Sequence, residues 1–381
     1  MPSGTDDRQR ELFERAADFA RQNLNDDIPG RNQDGVFDRA AWKLCAEFGL
    51  LKMAIPDEGE SMPRLSDLIA VMEGLGYGSD DQGLLFSLNA HLWTTMVPLV
   101  LYGTQEQRER YLPGLADGTL IGANASTEPE AGSDVYAMKT TARPADGGGY
   151  FLDGTKTYIT SAPVADVLVI YATLDEEAGP LGITAFLVDA DTPGLERSPA
   201  FDKMGLRTAA MGRVDLKQCW VPDSAVLGRP GRGSWVFESA MEYERGSILA
   251  ACLGVMRRQV EKAVRHARRR QQFGEPIGKF QAVSHRIAEM KVRLDAARAL
   301  VQRIGVLKDE GKDATLEAAV AKLYVSEAYV QSSLDAVRLQ GAKGYLSANP
   351  ESWQLRDAVG SLLYSGTSDI QHNIIARELG L

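Results

Sequence analysis

Three short stretches carry side chains whose types and spacing suit chemistry on a polar or anionic ligand. In Leu363-Tyr364-Ser365-Gly366-Thr367-Ser368-Asp369-Ile370-Gln371-His372 a helix is expected to end at a glycine turn, and the next to begin on Thr367 or Ser368. Gly366 lets backbone N–H groups approach a ligand, and the open first turn of the following helix adds unpaired donors. Glu242-Tyr243-Glu244-Arg245-Gly246 sets two carboxylates and a guanidinium on one helical segment. Thr127-Glu128-Pro129-Glu130-Ala131-Gly132-Ser133-Asp134, preceded by Ala125-Ser126, lies where helical texture gives way to strands. That position turns its amides and the hydroxyls of Ser126 and Thr127 toward a boundary between domains. Each stretch also has a purely structural reading: a bundle corner closed by a cap, a surface carboxylate paired with a nearby arginine, and a turn made by Pro129 and Gly132.

The elements that must position these residues fall into three blocks. Up to about Leu120 apolar residues recur at helical spacing: Leu12, Phe13, Ala16, Ala17, Phe19 and Ala20, then Ala41, Leu44, Cys45 and Phe48 before Gly49. A helix starting near Ser66 is expected to stop at Gly74-Leu75-Gly76-Tyr77-Gly78, and residues 84–101 give a longer apolar one. Thr104 and Gln107 have capping-box spacing for a charged helix that ends at Pro113-Gly114. From Ile121 the runs are short and punctuated by Gly, Pro and Asp; residues 150–154, 167–171 and 184–189 read as strands. They imply a barrel or sandwich ending near Val221-Pro222, with Asp146-Gly147-Gly148-Gly149 as a flexible hairpin. After Gly231-Arg232-Gly233 the helical period returns over residues 234–270, 280–308, 315–340 and 351–364, the pattern of an antiparallel bundle. The expected fold class is α+β multidomain: an all-α domain over 1–120, a β-domain over 121–229 and a four-helix bundle over 230–381.

A length of 381 residues calls for two or three domains, and 44% hydrophobic with 25% charged residues is the balance of a soluble globular protein. A formal net charge of −10 argues against nucleic-acid binding, although Arg257, Arg258, Arg265, Arg268, Arg269 and Arg270 gather in one segment suited to an anionic partner. Cys45, Cys219 and Cys252 form neither a disulfide framework nor a metal motif and read as buried thiols of a reducing compartment. No signal peptide and no run of membrane-spanning length is expected, which places the protein in the cytoplasm, away from membranes.

Together the three stretches resemble the acyl-CoA dehydrogenase family, most firmly over residues 102–134 and from Tyr243 onward. The order helical, β, helical is also that of the family's three domains. The resemblance implies FAD, with Asn124, Ser126, Thr127 and Ser133 lining the flavin or the thioester. Tyr158-Ile159-Thr160-Ser161 looks like the family's second flavin wall, Tyr158 beside the ring and Thr160 bonding its edge. Arg270-Gln271-Gln272-Phe273-Gly274, followed by Pro276, Ile277 and Gln281, is similar to a corner that crosses a subunit contact to the adenosine and pyrophosphate half of FAD. That likeness implies a phosphate contact from Arg270, cofactor contacts from Gln272, Phe273 and Gln281, and a homotetramer built on the C-terminal bundles. Cations at this helix end also suit the helix dipole. Arg338 and Gly341 fall in a loop that matches the family's adenine-side loop less well, with Arg338 for the usual Gln and Ala342 for the second Gly. Thr367 and Asp369 are carried over as cofactor-side residues of the last turn.

Ser365 is the telling departure, because the family commonly has a glutamate there as the base that removes the α-proton. A hydroxyl cannot do that work; abstracting so weakly acidic a proton needs a desolvated carboxylate on one face of the substrate and the flavin on the other. Glu244, immediately before Arg245, occupies the place where some members keep a relocated base. The resemblance therefore implies a catalytic set of Glu244, Arg245 and the backbone N–H of Ser365, the last serving the thioester carbonyl as a small oxyanion hole. The expected function is FAD-dependent α,β-dehydrogenation of an acyl or aminoacyl thioester. The ending from Ser365 to Leu379 is most similar to members that act on carrier-protein-tethered groups, with an electron-transfer flavoprotein or oxygen as acceptor. The same reaction on an acyl-CoA, a same-fold flavin monooxygenase, a base-only elimination enzyme and a cofactor-free helical interaction protein stay open at this point.

Overall fold

A computed structural model describes residues 6–56 and 61–381. Its first part holds helices α1 (Asp7–Asn23), α2 (Ile28–Asp34), α3 (Arg39–Glu47), α4 (Leu65–Gly78), α5 (Gln82–His91), α6 (Val97–Tyr102) and α7 (Gln105–Ala116). The stripe on α1 buries Phe13, Ala16, Ala17 and Ala20, and that on α3 buries Ala41, Trp42, Cys45 and Ala46. Helix α4 runs on through the glycines at which it was expected to stop. These glycines are contact points: a Cβ at Gly74 or Gly78 would run into α1 carbonyls of Phe13 and Ala17, and one at Gly76 into the carbonyl of Ala251 on the far side. Packing from both sides outweighs the ~1 kcal/mol that each helical glycine costs.

The chain stays helical between α5 and α6 through a π-helical turn, Leu92–Met96. The resulting stretch, Gln82–Tyr102, is long and apolar enough to cross a membrane, contrary to expectation, but most of it is buried inside the fold. The capping box of Thr104 and Gln107 is formed. Helix α7 passes the expected stop at Pro113-Gly114 and ends at Ala116; a proline in the last turn forfeits a single N–H, and Asp117 N still closes on the Pro113 carbonyl at 3.0 Å.

Strands β1 (Gly122–Ala125), β2 (Thr141–Pro144), β3 (Tyr150–Thr160), β4 (Val167–Thr173), β5 (Ile183–Asp189), β6 (Leu195–Arg197), β7 (Met211–Val221) and β8 (Val226–Leu227) build the middle part. The expected barrel or sandwich takes the form of one connected sheet, β6-β7-β3-β2-β4-β5-β8, with β1 parallel to β4. The β3–β7 ladder shifts register between Lys156 and Ile159, and within that bulge Tyr158 takes a left-handed φ of 58°. A bulge is the ordinary device for re-aiming one side chain out of a sheet.

The last part holds α8 (Gly233–Ser247), α9 (Ala250–Arg269), a small hairpin of β9 (Gln271–Gln272) and β10 (Glu275–Pro276), α10 (Gln281–Asp309), α11 (Thr315–Gln340), α12 (Pro350–Gly360) and α13 (Ser368–Glu378). The single helix expected over 234–270 is broken at Ile248-Leu249, both buried. The helix expected to reach Tyr364 stops at Gly360, where the Ser361 hydroxyl donates back to the Ala358 carbonyl at 2.6 Å and closes the turn. One apolar cluster joins Ala16 and Met72 of the first part to Leu253, Leu294, Ile304 and Val325 of the last, while the sheet keeps a separate core around Leu152, Ile170 and Phe186. A buried ion pair crosses the same seam, Arg298 Nε of α10 donating to Glu73 Oε1 of α4 at 3.0 Å.

Candidate active site

Glu244 lies in the last turn of α8 and is 7% exposed. Burial pushes its carboxyl up to about 7, against the opposing influence of the Ser365 side chain and of the positive Arg245 and Lys322. A carboxyl so placed is half ionised near neutrality and is stripped of water, the state a base for a carbon acid requires.

Ser365 faces it from the irregular turn that follows α12. The backbone there is left-handed, with φ of 56° at Ser365 and 90° at Gly366. Two side chains hold the turn by its carbonyls: Arg245 Nε donates to Ser365 O at 3.4 Å, and Gln371 Nε2 of α13 to Ser365 O at 3.2 Å and Gly366 O at 3.0 Å. With the carbonyls tied back, the N–H groups of Ser365 and Gly366 point elsewhere and find no acceptor among the described residues. The Ser365 hydroxyl is buried without a hydrogen-bond partner. Thr367 caps α13 as expected, its Oγ accepting from Ile370 N at 3.3 Å, and Asp369 stands exposed in the first turn of that helix.

Asn124 reaches this centre from the sheet. Its Nδ2 donates to the Thr94 carbonyl at 3.2 Å, and the buried phenol beside it, Tyr171, is raised by burial first and by the nearby Glu244 among other charges. Behind the centre, Phe86 of α5 packs on the Tyr364 ring at 4.6 Å between centroids. A small pocket of about 20 Å³ lies there, among Gln82, Asn89, Cys252, Tyr329 and Asp357.

A second wall is held by an ion pair that sequence reasoning missed. Lys156 Nζ of β3, wholly enclosed, meets Glu128 Oε1 at 2.8 Å and also donates to the Ser126 carbonyl at 3.2 Å. Ser126 and Thr127 are thereby fixed against β3, where Thr157 N donates to the Thr127 carbonyl at 2.9 Å. From the same strand Tyr158 projects 63% exposed, touching only the edge of Phe201 among aromatic rings, and Thr160 is half-buried. Ser133 sits exposed on the loop leading away.

The remaining expected residues are not part of this cluster. Arg270 caps the far end of α9, a helix of 20 residues that starts beside Glu244's own helix and so carries Arg270 about 30 Å away at 1.5 Å per residue. Gln272, Phe273 and Gln281 surround the same hairpin, all exposed, with Phe273 at 94%. Arg338 and Gly341 lie at the C-terminal end of α11, where Arg338 pairs with Asp335 at 3.6 Å and Gly341 has a φ of 59°.

Two functional candidates were absent from the sequence reading. Gln371 looked like an ordinary helix residue and left no signal beyond its place one turn after the cap. Lys322 had a signal: it interrupts an apolar helix face between Ala318, Ala319 and Val325, all buried.

Residues 6–119, 123–219 and 231–380 match, in turn, the N-terminal, middle and C-terminal domains of acyl-CoA dehydrogenase. The chain is 45% identical to the L-prolyl peptidyl-carrier-protein dehydrogenase of Pseudomonas fluorescens over 354 residues, 92% of this chain and 93% of that protein. It superposes on the crystal structure of the prolyl acyl carrier protein oxidase AnaB with a TM-score of 0.96 and 43% identity, covering 99% of this chain and 100% of that one. It superposes equally well, at 0.96 and 38% identity over the full length of both, on PigA with FAD and proline. With all three domains matched in order and the identity sustained along the chain, this protein belongs to the acyl-CoA dehydrogenase family.

Proposed function

We propose that the protein catalyses FAD-dependent α,β-dehydrogenation of a small aminoacyl thioester, such as a prolyl group, tethered to a carrier protein. The observation that carries this reading is Glu244, a fully desolvated carboxyl poised near neutrality beside a turn whose N–H groups are free. The prolyl carrier-protein relatives supply the substrate class. The nearly filled floor behind Tyr364 supports a compact acyl group over a long chain.

The residues fit a flavin. Tyr158 is turned out of the sheet with most of its ring uncovered, and the Ser161 hydroxyl next along the wall is buried without a partner. Asn124, Ser126, Thr127, Ser133, Tyr158 and Thr160 would hold the ring and its edge, with Thr367 and Asp369 at the last turn. When bound, FAD would supply the acceptor for the β-hydride and with it for the two electrons removed from the substrate, while the pair left by the α-proton forms the new double bond. Glu244 takes the α-proton onto its carboxylate. The Ser365 N–H donates to the thioester oxygen as charge develops there, and Arg245 and Gln371 keep that peptide from turning. An electron-transfer flavoprotein or oxygen completes the cycle.

Arg270, Gln272, Phe273, Gln281, Arg338 and Gly341 serve a different copy of the site in this reading. The distance of Arg270 from Glu244 along α9 and the exposed Phe273 ring support a homo-oligomer, a tetramer through the C-terminal helices, in which each corner completes a neighbour's FAD site. Three free and buried thiols, Cys45, Cys219 and Cys252, support a cytoplasmic location.

Anaerobic flavin bleaching by a panel of carrier-protein and CoA thioesters tests the reaction directly. Wild type is expected to bleach with a prolyl carrier-protein thioester, and Glu244→Gln to retain FAD while bleaching slower by about 10²-fold or more, the scale of a lost general base. Equal bleaching rates in the two proteins would remove Glu244 from the mechanism.

A further inference from the structure

Lys322 takes no part in the reading above, yet its surroundings are peculiar. The side chain is wholly enclosed on α11, and Nζ has neither a hydrogen-bond nor an ion-pair partner among the described residues. Ala318, Ala319 and Val325, one turn away on either side, are buried and apolar. An ammonium in such a place gives up its hydration with nothing local to replace it, so a charge elsewhere must compensate or the site must be used. Nζ sits over the ring of Tyr364, the residue before Ser365, 5.9 Å from its centroid. The ring face alone is too weak and too distant a partner for a buried cation.

We propose that Lys322 is a positioning residue of the base: its ammonium is a second counter-charge, beside Arg245, that keeps the Glu244 carboxylate ionised. The inference rests on Glu244 being the base. Arg245 shares the role, since Glu244 is the first charge its guanidinium faces, but that guanidinium is also engaged with the Ser365 carbonyl and faces Tyr136, Glu238 and Arg377. Lys322 approaches from a different helix. The groups facing Glu244 are Arg245 of its own helix, Lys322 of α11, the Ser365 hydroxyl, and the phenols of Tyr364 and Tyr171. Those facing Lys322 are Glu244, Glu327 and Arg245. Glu327 is exposed and accepts from the Ser368 hydroxyl at 2.9 Å, which leaves Glu244 as the enclosed anion on offer.

The electrostatics agree. Burial lowers Lys322 to about 8, with Glu244 and Glu327 opposing that fall; burial raises Glu244 to about 7, with Lys322 among the groups opposing that rise. Between these values both groups carry charge, each sustaining the other. When Glu244 accepts the α-proton the negative charge passes to the substrate, and a fixed cation nearby remains to face it.

Lys322→Met keeps the length of the side chain and removes the charge. In the FAD-loaded protein the acid limb of the flavin-reduction rate is expected to move up by about one pH unit, roughly a fivefold loss at pH 7 that is regained at higher pH, and Lys322→Arg is expected to restore most of it. The second readout does not need turnover: the infrared carboxyl band that disappears in Glu244→Gln should titrate at higher pH in Lys322→Met than in wild type. Should Lys322→Met fail to hold flavin, Lys322→Gln is measured in its place. A carboxyl band that titrates unchanged, or a rate lowered equally at all pH values, overturns the proposal. A shifted band together with full activity in Glu244→Gln would uphold the charge coupling and overturn Glu244 as base.

Discussion

Glu128 and Lys156 meet at 2.8 Å with the lysine 0% and the carboxylate 6% exposed, and this pair pins the 126–128 segment to β3. The carboxylate is further held by Lys139 N at 2.6 Å and Thr140 N at 2.9 Å. Lys156→Met leaves Glu128 buried without its counter-ion, and a loss of about 3–5 kcal/mol is expected, with weakened FAD retention. Replacing both, by Glu128→Leu with Lys156→Met, should recover much of the stability but not the cofactor affinity. Urea midpoints of the single and double variants give the comparison; purely additive losses would mean the pair is not coupled.

The pH dependence of stability follows from two buried carboxyls. Glu244 and Asp357 are raised to about 7 from ordinary values of 4.5 and 3.8, burial being the first cause in each. Between the ordinary and the raised value the folded state holds protons that the unfolded chain has released, so stability falls as pH climbs through that window. Glu244→Gln should therefore stabilise the apoprotein at pH 8 by on the order of 3 kcal/mol, a gain that vanishes near pH 4. Denaturation at the two pH values reads it directly. Equal stability of wild type and variant at pH 8 would mean that the carboxyl is hydrated.

Phe86 packs on Tyr364, the residue before Ser365, and in the proposed reading closes the floor of the site. Phe86→Ala removes most of that ring and should shift preference toward longer acyl thioesters by roughly tenfold or more in relative flavin-reduction rate. An unchanged preference would place the acyl group away from this floor.

The exposed hairpin can be tested apart from the chemistry. Arg270→Ala should increase FAD loss on dilution, and Phe273→Ser should lower the oligomer mass seen by light scattering at low protein concentration. A Phe273→Ser protein with wild-type mass and full FAD content would show that the ring contributes nothing to assembly.

Much of this was legible because local signals agreed with the final environment. Helix α11 has the limits 315–340 read from its periodicity, and Thr104, Gln107 and Thr367 cap as their types and spacing imply. What could not be read depended on distant neighbours. Gly74, Gly76 and Gly78 look like a stop signal, and only the backbones of α1 and of Ala251 reveal them as sites of close approach. Gly76→Ala should accordingly cost at least the 1–3 kcal/mol of an overpacked core, measured by denaturant unfolding, where an ordinary helical Gly→Ala would stabilise. Lys322 was passed over for the same reason: periodicity shows that it breaks an apolar face, and nothing in its own helix says that Glu244 stands opposite. The roles of Arg270 and Phe273 came from the resemblance alone, since within one chain Phe273 meets only the edge of the Phe280 ring and no carboxylate pairs with Arg270 among the described residues.

The seam between α4 and the later helices bears on how the chain comes to be folded at all. Glu73 waits for Arg298, and Gly76 for Ala251, so α4 leaves the ribosome well over a hundred residues before its partners. One face of the sheet can settle as it is made, because its core is its own, while Val167, Val169, Tyr171 and Leu187 on the other face belong to the helical cluster. The opening helices cannot do so fully; the faces that meet α9 and α10 stay uncovered through the whole synthesis of the sheet, a period of about 5–20 seconds at 5–20 residues per second. Growth of the nascent chain past α9 and α10 is thus the moment at which the two helical ends first become one cooperative body. Truncations that stop short of Arg298 should yield a soluble sheet flanked by helices open to chaperones and proteases.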